Sequence, residues 1–481
     1  MAVPLTETSP AVRSAGITTA WRWCAVLAPG LFLYFVPFAG LRPDQRHLLA
    51  FFAATIISLI IQPVPMGACI LTAMTALVLT NTLPAPTVLS GFADPTVWLI
   101  FTAFLFSRAV TDTKLGVRVA YLFIRKFGRS ALTLGYSISM SDLVLAPFVP
   151  SDTARGGGII CPITRSVAQA LGSEPGGPSE KMGGFLILVA FHTTYIASAM
   201  FLTGMASNPL MADFAFKIGH VEMTWIRWFL GAVVPGGISL LLVPFLIYRL
   251  YCPAVTNTEA ARAHAGRELR EMGRLSTREL RLGVIMVLVM AGWVTSPWHH
   301  IPNAFVALAG LSAILLSGVL DWNDLLAESK AWDALIWFAP LIMMASELNK
   351  RGVIQNLSES MFSYTRLLPW SVALIFLVVA YVYVHYGFAS MTAHITALYP
   401  GFLAAILMAG VPPLLGAFVL AYFSNLNAGI THYGTGSAPV YFGAGYLDQS
   451  TWWRIGFLLS VVILAIWLGI GMLWWKLIGF W

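Results

Sequence analysis

The sequence Ser151-Asp152-Thr153-Ala154-Arg155 recurs as Ser390-Met391-Thr392-Ala393-His394, 239 residues further along, and both copies sit inside long apolar runs. Each keeps Ser-x-Thr-Ala and ends in a residue that can carry positive charge. Each is followed by a second interruption of apolar sequence, Gly204-Met205-Ala206-Ser207-Asn208-Pro209 and then Gly434-Thr435-Gly436-Ser437-Ala438-Pro439, 230 residues apart. Corresponding breaks in two halves of an apolar chain predict an inverted repeat with discontinuous helices, and such breaks mark the solute site of secondary transporters. The two spacings differ by nine residues, close to the length of the polar loop 172–181, which only the first half carries.

Composition fixes the solvent. Hydrophobic residues make up 58% of the 481 and Asp, Glu, Lys and Arg only 10%, against roughly 25% charged residues in soluble domains. The chain therefore reads as an all-α polytopic membrane protein. The net charge of +7 is spread between apolar segments, which fits orientation in a bilayer and not nucleic-acid binding. Cys24, Cys69, Cys161 and Cys252 form no C-x-x-C pair, so neither a disulfide framework nor a metal cluster is expected. Gly156-Gly157-Gly158 lacks the Lys-Ser/Thr of a phosphate loop, and no Ser/His/Asp order suggests hydrolysis. No cofactor, no metal and no enzymatic activity are expected. Residues 1–21 are polar with no apolar core, and read as a cytoplasmic tail and not as a cleaved signal.

A spanning helix needs about 20 apolar residues. On that ruler spans fall near 22–40, 46–64, 66–83 and 94–112, then 183–215 and 224–250, and in the second half 282–298, 302–320, 331–349, 411–443 and 454–478. The basic stretches 114–129 and 252–281 are both expected at the cytoplasmic face. The segment 131–170 between them then crosses an even number of times. Its polar tip at 150–155 favours a re-entrant hairpin, because non-helical backbone at membrane depth survives only inside protein or a wet cavity. The segment 368–408 reads the same way, on the opposite face; Lys350, Arg351 and Arg366 fit that assignment less well. The runs 183–215 and 411–443 would each be about 50 Å long as continuous helix at 1.5 Å per residue. A Gly/Ser/Pro break in each predicts a broken helix. The expectation is about 11 transmembrane helices plus two re-entrant hairpins.

Four interruptions meeting near the midplane bring together helix ends with free N–H groups and positive dipole ends. The hydroxyls of Ser151, Thr153, Ser390 and Thr392 add donors for carboxylate oxygens, with Ser207, Asn208, Thr435, Gly436 and Ser437 from the second breaks. Small Ser and Thr residues also let helices pack closely in bilayers, but recurrence at matching positions favours a site. Asp152 and Arg155 are ionisable groups in apolar surroundings, which is a functional expectation by default; Arg155 could instead snorkel or only pair with Asp152. His394 matches Arg155 by symmetry, and His432 lies beside the second break; either could instead be a neutral, hydrogen-bonded core histidine. His192 and Asp142 read as structural.

These residues resemble the divalent anion/sodium symporters over nearly the whole chain, from about 22 to 478. That family carries Ser-Asn-Thr at each of two hairpin tips, here Ser151-Asp152-Thr153 and Ser390-Met391-Thr392. The run from Ser424 through Asn425, Asn427, Thr431, His432 and Tyr433 to Tyr446, with Ala393-His394-Ile395 before Tyr399-Pro400, looks like the branch of 2-oxoglutarate/malate translocators and bacterial tartrate/succinate or citrate/succinate antiporters. The resemblance implies a multi-pass homodimer in the cell inner membrane, C4–C6 di- or tricarboxylate substrates and an elevator mechanism. In that arrangement 22–130 and 282–367 are scaffold, 131–250 and 368–481 are the transport parts, and 251–281 is a cytoplasmic linker. Asp152 and Met391 replace both signature asparagines, which in sodium-coupled members help hold the ion. Fixed cations at Arg155 and His394 would then stand in for sodium, which predicts a sodium-independent exchanger whose net-positive empty site resists crossing. A sodium- or proton-coupled symporter of the same fold, with Asp152 as ion ligand or proton site, is the alternative. An inorganic-anion carrier of related fold and a membrane-embedded enzyme stand further off.

Overall fold

Apolar runs punctuated by Pro, Gly and Ser fold into helices whose ends fall at those residues. The computed structural model describes the backbone of residues 10–37, 40–177, 180–253, 257–356 and 367–481, with side chains from residue 21 onward. Every regular element among them is helical. Seven helices of the described residues are long and apolar enough to cross a membrane, and Met66–Leu79, Ala131–Leu145 and Asn303–Leu316 are shorter apolar helices. The first nine residues of the expected tail and Arg366 lie outside the described residues. The rest of that tail is drawn into the helix Pro10–Phe35.

The chain divides into two compact units. One gathers the helices up to Ala93, Pro10–Phe35 and Pro43–Ile61 among them, with the segment from Ile336 to the last described residues before 357. Within it Gly91 lies so close to the Ala339 carbonyl that a Cβ would collide with it. The other unit runs from Asp94 to Leu335 and resumes after residue 357 to the C-terminus. The candidate site residues all belong to this second unit.

In the second unit, both expected hairpins are helix–break–helix segments. The first joins Ala131–Leu145, begun by a Ser130–Thr133 capping box, to a widened turn at Thr153–Ile160 that runs into Cys161–Ala170. The second joins Trp370–Val384 to Met391–Met408. Both expected broken helices are broken. Glu180–Met200 stops and Asn208–Gly219 restarts, while Pro413–Leu426 stops and the short Ala438–Phe442 restarts. Pro209 and Pro439 each sit in the first turn of the restarted helix, where a missing N–H costs nothing. At the first break a Cβ on Gly204 would fall 2.6 Å from the Ser198 carbonyl oxygen, so only glycine lets the chain fold back there. Glu180–Met200 is buried along its whole apolar window, packed by Trp225–Tyr251, Ala131–Leu145 and Pro413–Leu426.

The charged linker 252–281 is more than a tether. Residues Glu259–Glu271 form a helix that buries Ala261, Ala265, Gly266 and Leu269 against Leu115–Phe127 and Cys161–Ala170. His264 Nε2 meets the Ser166 hydroxyl at 2.7 Å, and Thr258 donates to the Gly128 carbonyl at 2.7 Å. Arg118, on Leu115–Phe127, donates to Glu279 at 2.6 Å and to the Gly273 carbonyl at 2.9 Å.

Candidate substrate site

Both pentapeptides fall at the turn of a hairpin, and each serine caps the helix that leaves it. The Ser151 hydroxyl accepts from the Ala154 N–H at 3.2 Å and the Ser390 hydroxyl from the Ala393 N–H at 3.3 Å. These capping bonds satisfy donors that the first helical turn leaves free. Helices Asn208–Gly219 and Met391–Met408, and the helical segment from Thr153, each begin at a break or a tip, which puts a positive dipole end at each.

Each tip meets the break of the opposite half. At tip one, Asp152 accepts from the Thr435 hydroxyl and from the Ser437 hydroxyl at 3.3 Å. A Cβ on Gly436 would collide with the Thr153 hydroxyl, so glycine at 436 is what lets the second break approach. At tip two, the Thr392 and Ser207 hydroxyls bond each other at 2.7 Å. The two breaks are joined by Asn425, which donates to the Asn208 side-chain oxygen at 2.9 Å. The structure thus brings together Ser151, Asp152, Thr153, Thr435, Gly436 and Ser437 on one side and Ser207, Ser390 and Thr392 on the other. Met391 is buried and offers no oxygen.

Arg155 is held differently from the free cation expected. It is fully buried, and Nε donates to Asp142 Oδ1 at 2.8 Å. Nη1 donates to the carbonyls of Val149 (2.8 Å) and Gly204 (2.9 Å), and Nη2 to the Thr194 carbonyl (3.1 Å) and Ser198 hydroxyl (2.7 Å). A guanidinium has five N–H donors, and all five are spent. Its charge is balanced by Asp142 and not by Asp152, so the expected net-positive empty site is absent from this arrangement. Asp142, read from sequence as structural, is the counter-ion that makes this clamp possible.

The symmetric position holds His394, fully buried, with no hydrogen-bond partner on either ring nitrogen among the described residues. Its ring packs edge-on against Tyr381, His385 and Phe388, centroids 4.4, 4.9 and 5.1 Å away. The residue that does in half two what Arg155 does in half one is His385, which sequence reasoning missed. Its Nε2 lies 2.7 Å from the Gly434 carbonyl; a carbonyl only accepts, so Nε2 carries the proton. Gly434 follows Gly204 by the same 230 residues that separate the breaks. His432 is turned to Trp453, whose indole N–H it accepts at 3.0 Å, and not to either tip. Asn208 spends both amide hydrogens on the carbonyls of Ser198 (3.0 Å) and Phe201 (2.9 Å), so it braces the break and has none left to donate. Asn427 and Thr431 are buried at the second break with polar atoms lacking a partner among the described residues.

Two hydroxyl-lined hairpin tips that meet two broken helices, among helices long and apolar enough to cross a membrane, are the features of a membrane carrier. The model of the sodium:sulfate symporter transmembrane region matches residues 17–481, and the chain belongs to this family, the divalent anion/sodium symporters. The chain is 47% identical to a putative malate transporter, YflS, of Bacillus subtilis over 95% of its length and 96% of that protein's. It is 45% identical to the chloroplastic dicarboxylate transporter 1 of Arabidopsis thaliana over 95% of this chain and 83% of that one. It is 35% identical to the inner membrane protein YbhI of Escherichia coli over 96% and 98%. Among solved structures, the Alcanivorax borkumensis YdaH transporter matches 97% of this chain and 98% of its own, with a TM-score of 0.56 and 16% identity. That likeness concerns the fold alone.

Proposed function

We propose that this protein is a sodium-independent exchanger of C4–C6 dicarboxylates in a bacterial-type inner membrane. The dicarboxylate lies between the two tip–break contacts, one carboxylate taking the hydroxyls of Thr392 and Ser207 and the other those of Thr435 and Ser437. Relatives named as malate and dicarboxylate transporters support the substrate class.

One observation carries the sodium independence. The carbonyl of Gly204 takes an Arg155 N–H and that of Gly434 takes a His385 N–H. Carbonyls freed where a helix unwinds at membrane depth are ligands for coupling ions, and here the protein supplies both partners. Asp152 and Met391 at the tips point the same way, since Asp152 is occupied by Thr435 and Ser437 and Met391 has no oxygen. Exchange follows the branch resemblance, and with no co-ion the driving force is the counter-substrate.

The two hairpins and two broken helices move as one body in this reading. The helices Pro95–Thr113, Thr277–Val294 and Asn303–Leu316 pack on one another, and the broken helices pack with Met391–Met408. Lys217 on Asn208–Gly219 reaches Asp94, the cap of Pro95–Thr113, at 3.3 Å. That contact would have to break in transit. A homodimer rests on the resemblance.

A second reading is proton-coupled uptake, favoured by Asp152, the one ionisable side chain at either described tip that lies against the opposite break. Liposomes containing purified protein and preloaded with succinate, malate, tartrate, 2-oxoglutarate or citrate decide between them. Exchange predicts uptake of labelled dicarboxylate only into preloaded vesicles and unchanged by an imposed pH gradient. Net uptake into empty vesicles driven by external acid would establish the proton-coupled carrier instead.

A further inference from the structure

We infer that the Asp152 carboxylate is an internal stand-in for a substrate carboxylate, holding the second break's hydroxyls when no substrate is bound and competing with the substrate for them. The inference rests on the reading of the site as a dicarboxylate cup. Three observations carry it. First, Thr435 and Ser437, the hydroxyls that close over tip one, both donate to the same oxygen, Asp152 Oδ2. An incoming carboxylate needs those donors, and it finds a carboxylate already there. Second, Asp152 is buried, and among the described residues no Lys, Arg or His lies in ion-pair contact with it. Arg155, three residues on, turns its guanidinium to Asp142 and four further acceptors. The contact is therefore sustained by those two hydroxyls on Oδ2, a longer bond of 3.5 Å from the Thr153 hydroxyl to Oδ1, and the helix start, the same kinds of interaction that would hold a substrate. Third, the other half has no such group. Met391 takes the place of Asp152, and there the Thr392 and Ser207 hydroxyls bond each other.

The two cups therefore open by different exchanges. In the Thr392–Ser207 cup a substrate carboxylate replaces a neutral hydroxyl–hydroxyl bond with charge-assisted ones, which are stronger. In the Thr435–Ser437 cup it replaces one charge-assisted set with another and adds repulsion from the displaced Asp152. Removing the Asp152 charge should accordingly tighten binding, the opposite of what removing a substrate ligand does. It should also raise the turnover of substrate-free carrier, because the empty cup loses its internal anion.

The test is equilibrium binding of labelled succinate to the purified full-length protein, wild type and Asp152→Asn, with Asp152→Ser as the second variant should the amide fold poorly. The expected result is a dissociation constant lowered by about three- to ten-fold in either variant, the scale of one charge-assisted bond no longer opposed. Thr435→Val with Asp152 retained, which removes a donor, should raise it. An unchanged or raised dissociation constant in both Asp152 variants overturns the inference, since Asp152 would then be a brace or a ligand on the substrate's side. So does a loss of binding that sodium or acid restores. Failure of wild type to bind succinate, malate or any other dicarboxylate would instead remove the cup reading itself, so the two failures are told apart.

Discussion

The two halves repeat the same backbone plan and fill it with different chemistry. In the first half the clamp is ionic and saturated: Arg155 uses every donor, on Asp142, three carbonyls and Ser198. In the second half the same place is aromatic, with no ion pair among the described residues: His385 holds one carbonyl, while His394 rests among rings with its nitrogens unpartnered. The tips differ in the same sense, with a carboxylate at Asp152 and a thioether at Met391. The comparison shows that symmetry of fold fixes where a break falls and leaves open how its carbonyls are satisfied.

Breaking the ionic clamp should have the largest effect. Arg155→Ala leaves Asp142 charged and unpaired in the interior, a change worth about 3–5 kcal/mol. We expect loss of transport together with a marked fall in thermal stability of the solubilised protein. Arg155→Lys should rescue little, because an ammonium has three donors where five are used. Adding Asp142→Asn to Arg155→Ala should restore stability and not transport. If Arg155→Ala keeps wild-type stability and only binding falls, the side chain belongs to the substrate and not to the clamp.

Thr392→Ala removes a hydroxyl whose bond to a charged group is worth about 1.5–3 kcal/mol, so apparent affinity should weaken by about ten-fold or more with stability near wild type. Ser207→Ala should follow it, and wild-type uptake kinetics in both would take tip two out of the site. Next comes His385→Ala, which strands the Gly434 carbonyl at a cost of about 1–3 kcal/mol. The expected signature is a new dependence on sodium, corrected by His385→Gln, whose amide can donate in its place. The smallest change is His394→Phe. An aromatic ring with no hydrogen bonds should be replaced by another with little loss, and abolished exchange would show that its nitrogens reach the substrate.

The breaks in the fold are legible in the chain, and the partners that satisfy them are not. The four interruptions were visible because Gly, Ser and Pro have a positional meaning inside apolar runs: Pro209 and Pro439 open helices and Gly204 folds a break. The partner of Arg155 was not visible. Asp142 lies on the other arm of the hairpin, and which side chain faces inward there depends on packing that spacing does not encode. His385 is not marked by the pentapeptide, whose symmetry points to His394; the contact that matters runs from the break carbonyl to the preceding helix end. The helix Glu259–Glu271 carried its signal openly, in small residues at 261, 265 and 266 followed by Leu269, beneath a run of charge that read as linker.

The claim that protein donors take the place of sodium at both breaks is tested most directly by titrating sodium against malate exchange in liposomes containing the wild-type protein, with choline as replacement. The account predicts the same exchange rate and the same apparent affinity from sodium-free medium upward. A steep rise with sodium would contradict it, and would place the coupling ion at the carbonyls assigned here to Arg155 and His385.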